Sequence, residues 1–179
     1  MGDSLITVIA IMLASVLMFV FPMMSIAERN DDVSLSTVQA AVVEFVDNTR
    51  ATGKLTMKNY DSLMQKINAT GNTYDIDMEL QLRDVNPGKK GLSVEVNKIG
   101  ENLYYSKYKS QIMAELSATE SNGEIILKEG DFISVKATNT NTTISQMLKN
   151  FFYNLSDNNT YNIAAQHSGV VMVDGSSSN

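Results

Sequence analysis

The feature that most constrains this chain is an apolar run of 23 residues near its N-terminus. Residues 5–27 read LITVIAIMLASVLMFVFPMMSIA and contain no charged side chain. As an α-helix the run is roughly 34 Å long, at about 1.5 Å per residue, enough to cross a hydrocarbon layer of about 30 Å. The rest of the chain is too small to surround a helix that is apolar on every face. The run therefore predicts a transmembrane helix.

The end of this run raises the question of cleavage. Ser25, Ile26 and Ala27 form the small-x-small pattern that precedes a signal-peptidase cut, and Pro22 is placed to break the helix before it. However, no lysine or arginine precedes the run, and the run exceeds the usual apolar region of about 7–15 residues. Transmembrane helices also tolerate proline. We therefore expect an uncleaved anchor, with cleavage after Ala27 as the alternative.

Composition excludes several classes of function. The part after Ala27 carries all 14 lysine and arginine residues and 19 of the 20 acidic residues (all but Asp3), a net charge of −5. This acidity argues against nucleic acid or an anionic membrane surface as a partner. The chain has no cysteine, which excludes disulfides, thiolate metal sites and cysteine nucleophiles.

Beyond the run, the pattern predicts a second helical stretch. Apolar side chains between residues 33 and 46 recur every three or four positions, as in an amphipathic helix. Ser36 and Gln39 match a capping box, so this helix begins anew there; alternatively, one long helix runs from the membrane to about Arg50. In either case Gly53 ends it.

The rest of the chain predicts antiparallel strands with three helices packed on them. Thr56 is the expected N-cap of a helix, and alternation over residues 73–85 indicates a half-buried strand. Further segments are predicted as a turn (86–91), its hairpin partner (92–96), a helix (103–116), two strands about the turn at 129–131, a helix opened by a capping box at 143–146, and a last strand (160–173) with a bulge at Gly169.

This gives an α+β fold class with four parts. We expect a transmembrane anchor (1–30), an amphipathic stalk helix (31–52), an α+β ectodomain (53–173) and a disordered tail (174–179). No internal repeat is present.

Side chains that carry chemistry are sparse. Asp75, Asp77 and Glu79 share one face of the predicted strand, which could hold a cation, but no calcium-binding loop surrounds them and a solvated strand face accounts for them. His167 is the only histidine, and its neighbour Ser168 points to the opposite strand face, so no nucleophile–base pair is formed. We predict no catalytic, cofactor-binding or metal-binding residue.

Two further features are better explained by structure. Lys89 and Lys90 lie in a predicted turn without the spacing of a phosphate-binding loop. Two aromatic groups could form a binding patch, but their helical spacing favours core packing, with Tyr153 and one of the other tyrosines facing outward; these groups are Tyr104, Tyr105, Tyr108 and Phe151, Phe152, Tyr153.

An apolar N-terminal helix, an amphipathic continuation and a small sheet-containing domain resemble the layout of pilin-like subunits. The stretches VVEFVDNTRATGKLTMKNYDSLMQKINATGNTYDIDMEL (42–80) and KEGDFISVKATNTNTTISQMLKNFFYNL (128–155) are similar in texture to TadE-like minor pilins of tight-adherence secretion systems, particularly Gram-positive bacterial forms. Pilins cut by prepilin peptidase carry glycine before the cut and glutamate five positions after it. Here Gly2 is followed by Asp3, and the fifth residue after it is Thr7. An accessory, membrane-retained component fits this departure.

The resemblance implies a non-enzymatic structural or accessory component of a bacterial cell-surface pilus or secretion apparatus. Its partners would be membrane lipid, through the N-terminal helix, and other apparatus subunits or further copies of itself. Ala10, Ala14 and Ser15 would permit close helix approach. Arg29 alone favours a cytoplasmic C-terminus, but the domain's richness in threonine, asparagine and serine favours export. A bacterial single-pass membrane protein with an extracellular domain is therefore expected. The rivals are a secreted or tethered binding module, such as an adhesin or sensor, and a hydrolase built on His167 or on the strand face of Asp75, Asp77 and Glu79.

Overall fold

The computed structural model describes residues 2–84, 104–119, 122–153 and 164–177, with side chains at 152 and 153 excepted. Its largest element is α1 (Gly2–Thr52), a single helix of 51 residues that contains Pro22. Proline removes one backbone hydrogen bond from a helix and can kink it, but α1 continues through Pro22. The helix does not restart at Ser36, so the predicted capping box there is wrong.

The helices and strands beyond α1 follow in a mixed order. They are β1 (Lys54–Thr56), α2 (Met57–Asn68), β2 (Tyr74–Arg83), β3 (Tyr104–Tyr108), α3 (Lys109–Ser117), β4 (Glu124–Ile126), β5 (Phe132–Asn139), α4 (Ile144–Tyr153), β6 (Ala164–Val170) and a short 3₁₀ helix (Gly175–Ser177). The fold class is therefore α+β, as predicted.

Among the described residues, the main sheet has four antiparallel strands in the order β3-β2-β5-β6. In the register, Met78 lies opposite Val135, which lies opposite His167. Burial alternates along β2 and β5, because successive side chains point to opposite faces. One face is thus apolar and buried, while the other carries polar side chains.

The core lies between the apolar sheet face and the C-terminal half of α1. The α1 side chains directed into it recur every three or four residues, as an amphipathic helix requires; they are Val38, Ala41, Val42, Phe45 and Val46. They pack with apolar residues of β2, β5 and β6. Of the three further helices, α3 contacts the sheet, whereas α2 and α4 pack mainly against α1. The expectation that all three cover the sheet is therefore not met.

The turn between β4 and β5 is anchored by a buried carboxylate rather than by strand pairing. Asp131 is 3% exposed and accepts hydrogen bonds from the backbone N–H groups of Lys128 (2.8 Å) and Arg83 (2.7 Å). The strands it joins belong to different sheets: β4 pairs with β1, and β5 with β2 and β6. Both strands and the turn were predicted from the sequence, but the two strands do not form a hairpin.

Three other predictions need correction. The first part of the helix predicted over 103–116 is β3, with α3 beginning only at Lys109. Gly169 lies in regular register opposite Ile133, so it is not a bulge. The tail predicted as disordered begins with bonded residues, since the Gly175 N–H donates to the Leu127 carbonyl at 2.9 Å. The predicted turn at 86–91 and strand at 92–96 lie outside the described residues.

The residues at which helices start and end were predicted more reliably than the pairing of strands. Thr56 caps α2, because its hydroxyl accepts from the Asn59 N–H at 3.2 Å. Gly53 ends α1 with a φ of +65°, in the left-handed region that glycine enters at little cost. Both predictions are confirmed.

Candidate functional site

The N-terminal half of α1 projects from the domain as an exposed apolar helix. Its most apolar stretch has a mean hydropathy of 2.7 and buries none of its residues against the described chain. The exposed large apolar side chains include Leu5, Ile9, Leu13, Met18, Phe19 and Ile26. Membrane anchors and signal sequences have this length and composition. In water such a surface would drive association, so it requires an apolar environment.

A second helix is bonded to α1 where the apolar run ends. Glu28 is the first charged residue after the run, and its Oε1 lies 2.9 Å from Nζ of Lys149 on α4. One turn further on, Asp31 Oδ2 accepts a hydrogen bond of 2.7 Å from the hydroxyl of Thr143, which precedes α4. These two contacts attach α4 to the boundary between the apolar and polar parts of α1.

Thr143 joins the start of α4 to α1. Its side chain accepts from the Gln146 N–H at 3.2 Å, and the Gln146 side chain accepts from the Thr143 N–H at 3.1 Å. This is the capping box that the sequence predicts, and it is confirmed. The hydroxyl hydrogen remains available, and the bond to Asp31 uses it while Thr143 itself is buried. Asp31 was not predictable from the sequence, because nothing local links positions 112 residues apart.

The two contacts also set the direction of α4. The start of α4 lies beside Asp31, and Lys149, about two turns later, lies beside Glu28. Helix α4 therefore runs back toward the apolar half of α1. On α1, Val20, Met24 and Ala27 share the face of Glu28 and Asp31, and they are less exposed than their neighbours. The covered face of α1 thus extends into its apolar half.

The side of α4 that faces away from α1 is apolar and exposed. Ile144, Met147 and Phe151 are 62%, 53% and 77% exposed, and their spacing places them in one stripe. The prediction that Phe151 packs in the core is wrong. The side chains of Phe152 and Tyr153 lie outside the described part. The missed signal is that apolar residues of α4 occupy more than one helix face, so some of them have to face outward.

His167 belongs to a polar cluster between β6 and α1. Its Nε2 lies 3.2 Å from Oδ1 of Asp47, which also accepts a 2.8 Å hydrogen bond from the Arg50 guanidinium. The His167 hydrogen bond, followed by that of Arg50, lowers the pKa of the Asp47 carboxyl below its ordinary value of 3.8, despite slight desolvation. The imidazole thus neighbours a carboxylate rather than a nucleophile.

Arg50 also connects α1 to the end of β6. Its Nε donates to the Val170 carbonyl at 2.9 Å, and its backbone carbonyl accepts from the Met172 N–H at 2.9 Å. A Cβ at Gly169 would lie 2.4 Å from Arg50 Nε. Gly169 is therefore explained by the close approach of Arg50, and the cluster has a structural role at the helix–sheet contact.

The acidic strand face predicted as solvated is exposed and internally paired. Asp75 accepts from Lys109 at 2.8 Å, which lowers the pKa of Asp75 and raises that of Lys109. Glu79 accepts from Ser106 at 2.9 Å. Among the described residues, no group of three or more histidine, aspartate or glutamate side chains is placed to hold a metal ion.

A shallow open groove of about 560 Å³ lies over this face. Its lining mixes both charges with an aromatic ring and includes Asp77, Glu79, Tyr108, Lys136 and Gln166. Asp77 lies opposite Lys136 in the register, so the charges of the groove compensate one another. Such a lining offers no enclosed apolar pocket of the kind that ligand sites need.

The tyrosines predicted to pack in the core do not do so. Tyr104, Tyr105 and Tyr108 lie on β3, and all three are exposed, by 46%, 47% and 59%. A strand directs Tyr104 and Tyr108 to one face and Tyr105 to the other, whereas the expected helix would have buried most of them. The prediction that these tyrosines form a stripe facing the core was wrong, because residues 104–108 form a strand rather than a helix.

Comparison with protein-family models, with curated proteins and with solved structures finds no match to this chain. Function is therefore inferred from the surfaces described above. They are an exposed apolar helix half, a second helix bonded at its base, and a polar sheet face.

Proposed function

We propose that this protein is a non-enzymatic, single-span structural or accessory component of a bacterial cell-surface pilus or secretion apparatus, with pilin-like architecture. In this role α1 anchors the protein through its apolar half and carries the domain on its other half. The domain lies outside the cell and offers surface to other subunits. The apolar half contacts lipid and, laterally, the spans of partner subunits.

One observation carries the proposal: α1 is a single helix with two different environments. Its N-terminal half is apolar and exposed, whereas the C-terminal half is buried against an antiparallel sheet. A continuous helix transmits the position of the domain directly to the membrane segment, because residues 28–32 continue it without a break. This arrangement suits a subunit whose domain must be held in a fixed relation to a membrane assembly.

Retention of the anchor is supported by the surroundings of Ala27. The segment Ser25-Ile26-Ala27 lies inside α1, and Ala27 is 9% exposed. Proteolysis occurs preferentially in exposed loops rather than within helices. Glu28, directly after this segment, is bonded to α4. In the uncut chain this contact lies within a continuous helix, an arrangement that suits a retained anchor.

Lateral packing is supported by small residues on the apolar half. Ala10 and Ala14 lie one turn apart and are exposed, and the Ser15 hydroxyl is satisfied by a 2.8 Å bond to the Ile11 carbonyl. Helices in lipid associate through such close-packed small residues. A neighbouring span could therefore approach α1 closely on this side.

The test is co-purification of the full-length protein from solubilised bacterial membranes, with partners identified by mass spectrometry. We expect pilus or secretion-apparatus subunits to be recovered with it. The double variant Ala10→Leu/Ala14→Leu keeps the apolar length but blocks close approach, and it should stay in the membrane while losing these partners. Recovery of a soluble monomer without such subunits would overturn the proposal.

A further inference from the structure

The position of α4 relative to the apolar run of α1 carries a further inference, which rests on the proposed membrane anchoring. If residues 5–27 lie in the bilayer, the hydrocarbon layer ends near Glu28, the first charged residue after them. Lys149 is bonded to Glu28, so this part of α4 lies at the same level. The contact thus places α4 at the membrane surface.

The direction of α4 takes its last part further toward lipid. The helix begins beside Asp31 and reaches Glu28 with Lys149, so residues after Lys149 continue toward the apolar half of α1. At about 1.5 Å per residue, Phe151 lies about 3 Å further along the helix than Lys149. The side chain of Phe151, which is 77% exposed, then lies nearer the apolar half of α1 than Lys149 does.

The stripe formed by Ile144, Met147 and Phe151 matches this location. It is apolar, lies on the side of α4 away from α1, and is exposed along its length. Helices with one apolar face lie in the interface with that face buried about 5–10 Å into the headgroup–acyl boundary. Burying these side chains in lipid removes apolar surface from water, which is favourable.

We propose that α4 is a membrane-interface helix whose stripe of Ile144, Met147 and Phe151 inserts into the bilayer beside α1. The protein then meets the membrane through two helices rather than one, and this fixes the tilt of the domain. The attachment is apolar rather than electrostatic. The one cation of α4, Lys149, is paired with Glu28, and the part after Ala27 carries a net charge of −5.

Because the chain has no cysteine, single-cysteine labelling tests the proposal in the full-length protein. The test variants are Met147→Cys and Phe151→Cys, whose exposed positions tolerate substitution. Val16→Cys reports the apolar half, and Ser62→Cys reports an exposed position on α2. Each carries an environment-sensitive fluorophore in phosphatidylcholine vesicles, with a quencher on the lipid chains or iodide in the water.

The proposal predicts that labels at 147 and 151 behave like the label at 16. They should be quenched several-fold more by the lipid-chain quencher than by iodide, and the label at 62 should show the reverse. Adding anionic lipid should leave the quenching ratios unchanged. An iodide-accessible label at 151 beside a lipid-quenched label at 16 would overturn the interface helix and leave the anchor intact.

Three other results would also count against the interface helix. An iodide-accessible label at 16 would remove the anchoring and the interface helix together. Labels at 147 and 151 that neither quencher reaches would indicate a protein partner on the stripe instead of lipid. Lipid quenching that requires anionic lipid would overturn the apolar attachment.

Discussion

The hydroxyl of Thr143 donates a 2.7 Å hydrogen bond to the carboxylate of Asp31, and so links the start of α4 to α1 four residues beyond the apolar run. The same hydroxyl accepts the Gln146 N–H and thereby caps α4. One buried side chain therefore both starts α4 and sets its position. The attachment of α4 to α1 at the end of the apolar run depends on it.

Thr143→Ala should destabilise the protein. The change removes a helix cap worth about 1 kcal/mol and a hydrogen bond to a charged group worth about 1.5–3 kcal/mol. We expect the free energy of unfolding to fall by about 2.5–4 kcal/mol, measured by circular dichroism on the detergent-solubilised full chain. Thr143→Ser keeps the hydroxyl and is the matched control, which should lie within about 1 kcal/mol of the natural protein. Equal losses in the two variants would show that the hydroxyl is not responsible.

A comparison of Gly53 with Gly71 tests whether the segment 173–175 packs closely against Gly53. Both have positive φ, +65° and +78°, but only at Gly53 would a Cβ collide, lying 2.3 Å from the Val173 carbonyl oxygen. Gly71→Ala should cost about 1–2 kcal/mol through backbone conformation alone. Gly53→Ala should cost about 1–3 kcal/mol more, because packed backbone must move. Thermal and denaturant unfolding measure both, and equal costs would contradict the contact between residues 53 and 173–175.

Asp47 should contribute stability that depends on pH. Its pKa is lowered in the folded protein, chiefly by the His167 hydrogen bond, so the folded state favours the charged carboxylate. That contribution is present above the ordinary value of 3.8 and is lost as the pH falls through the lowered folded value. Asp47→Asn should therefore have a lower melting temperature than the natural protein at about pH 6, and the difference between the two melting temperatures should be smaller at about pH 3. A difference in melting temperature that stays constant over this pH range would contradict a lowered pKa of Asp47 in the folded protein.

Tyr74→Phe should not destabilise the protein. Within the described part of the chain, the buried Tyr74 hydroxyl has no hydrogen-bond partner. Such a group loses its hydration on folding without compensation, so its removal should leave the free energy of unfolding unchanged or raise it by about 1 kcal/mol. Tyr105→Phe, at an exposed position, serves as the control and should be neutral. A loss above about 1 kcal/mol at Tyr74 alone would indicate a bonded hydroxyl.

Elements governed by local chemistry were predictable from the sequence. The caps at Thr56 and Thr143, the helix end at Gly53 and the alternation of β2 all follow from neighbouring residues. The sequence left two interpretations of α1 open. Ser36 and Gln39 can cap a helix, but inside a helix they cost little, and the buried face of α1 runs past them.

Elements decided by distant contacts were not predictable. Tyr104–Tyr108 is a strand because it pairs with β2, although its spacing also fits a helix. Strand β1 has only three residues and leaves almost no periodic signal. For the candidate site, the apolar run was evident, but periodicity could not show which apolar face of α4 lies outward. The bond between Asp31 and Thr143 had no sequence signal.

The intact mass of the native protein, taken from membrane and extracellular fractions of the cells that make it, tests most directly that α1 is a retained anchor. A full-length mass in the membrane fraction is the expected result, because Ala27 lies within a continuous helix and Glu28 is bonded to α4. A mass that begins at Glu28 and is found outside the cell would contradict it. The apolar half would then be a signal sequence and the domain a secreted module.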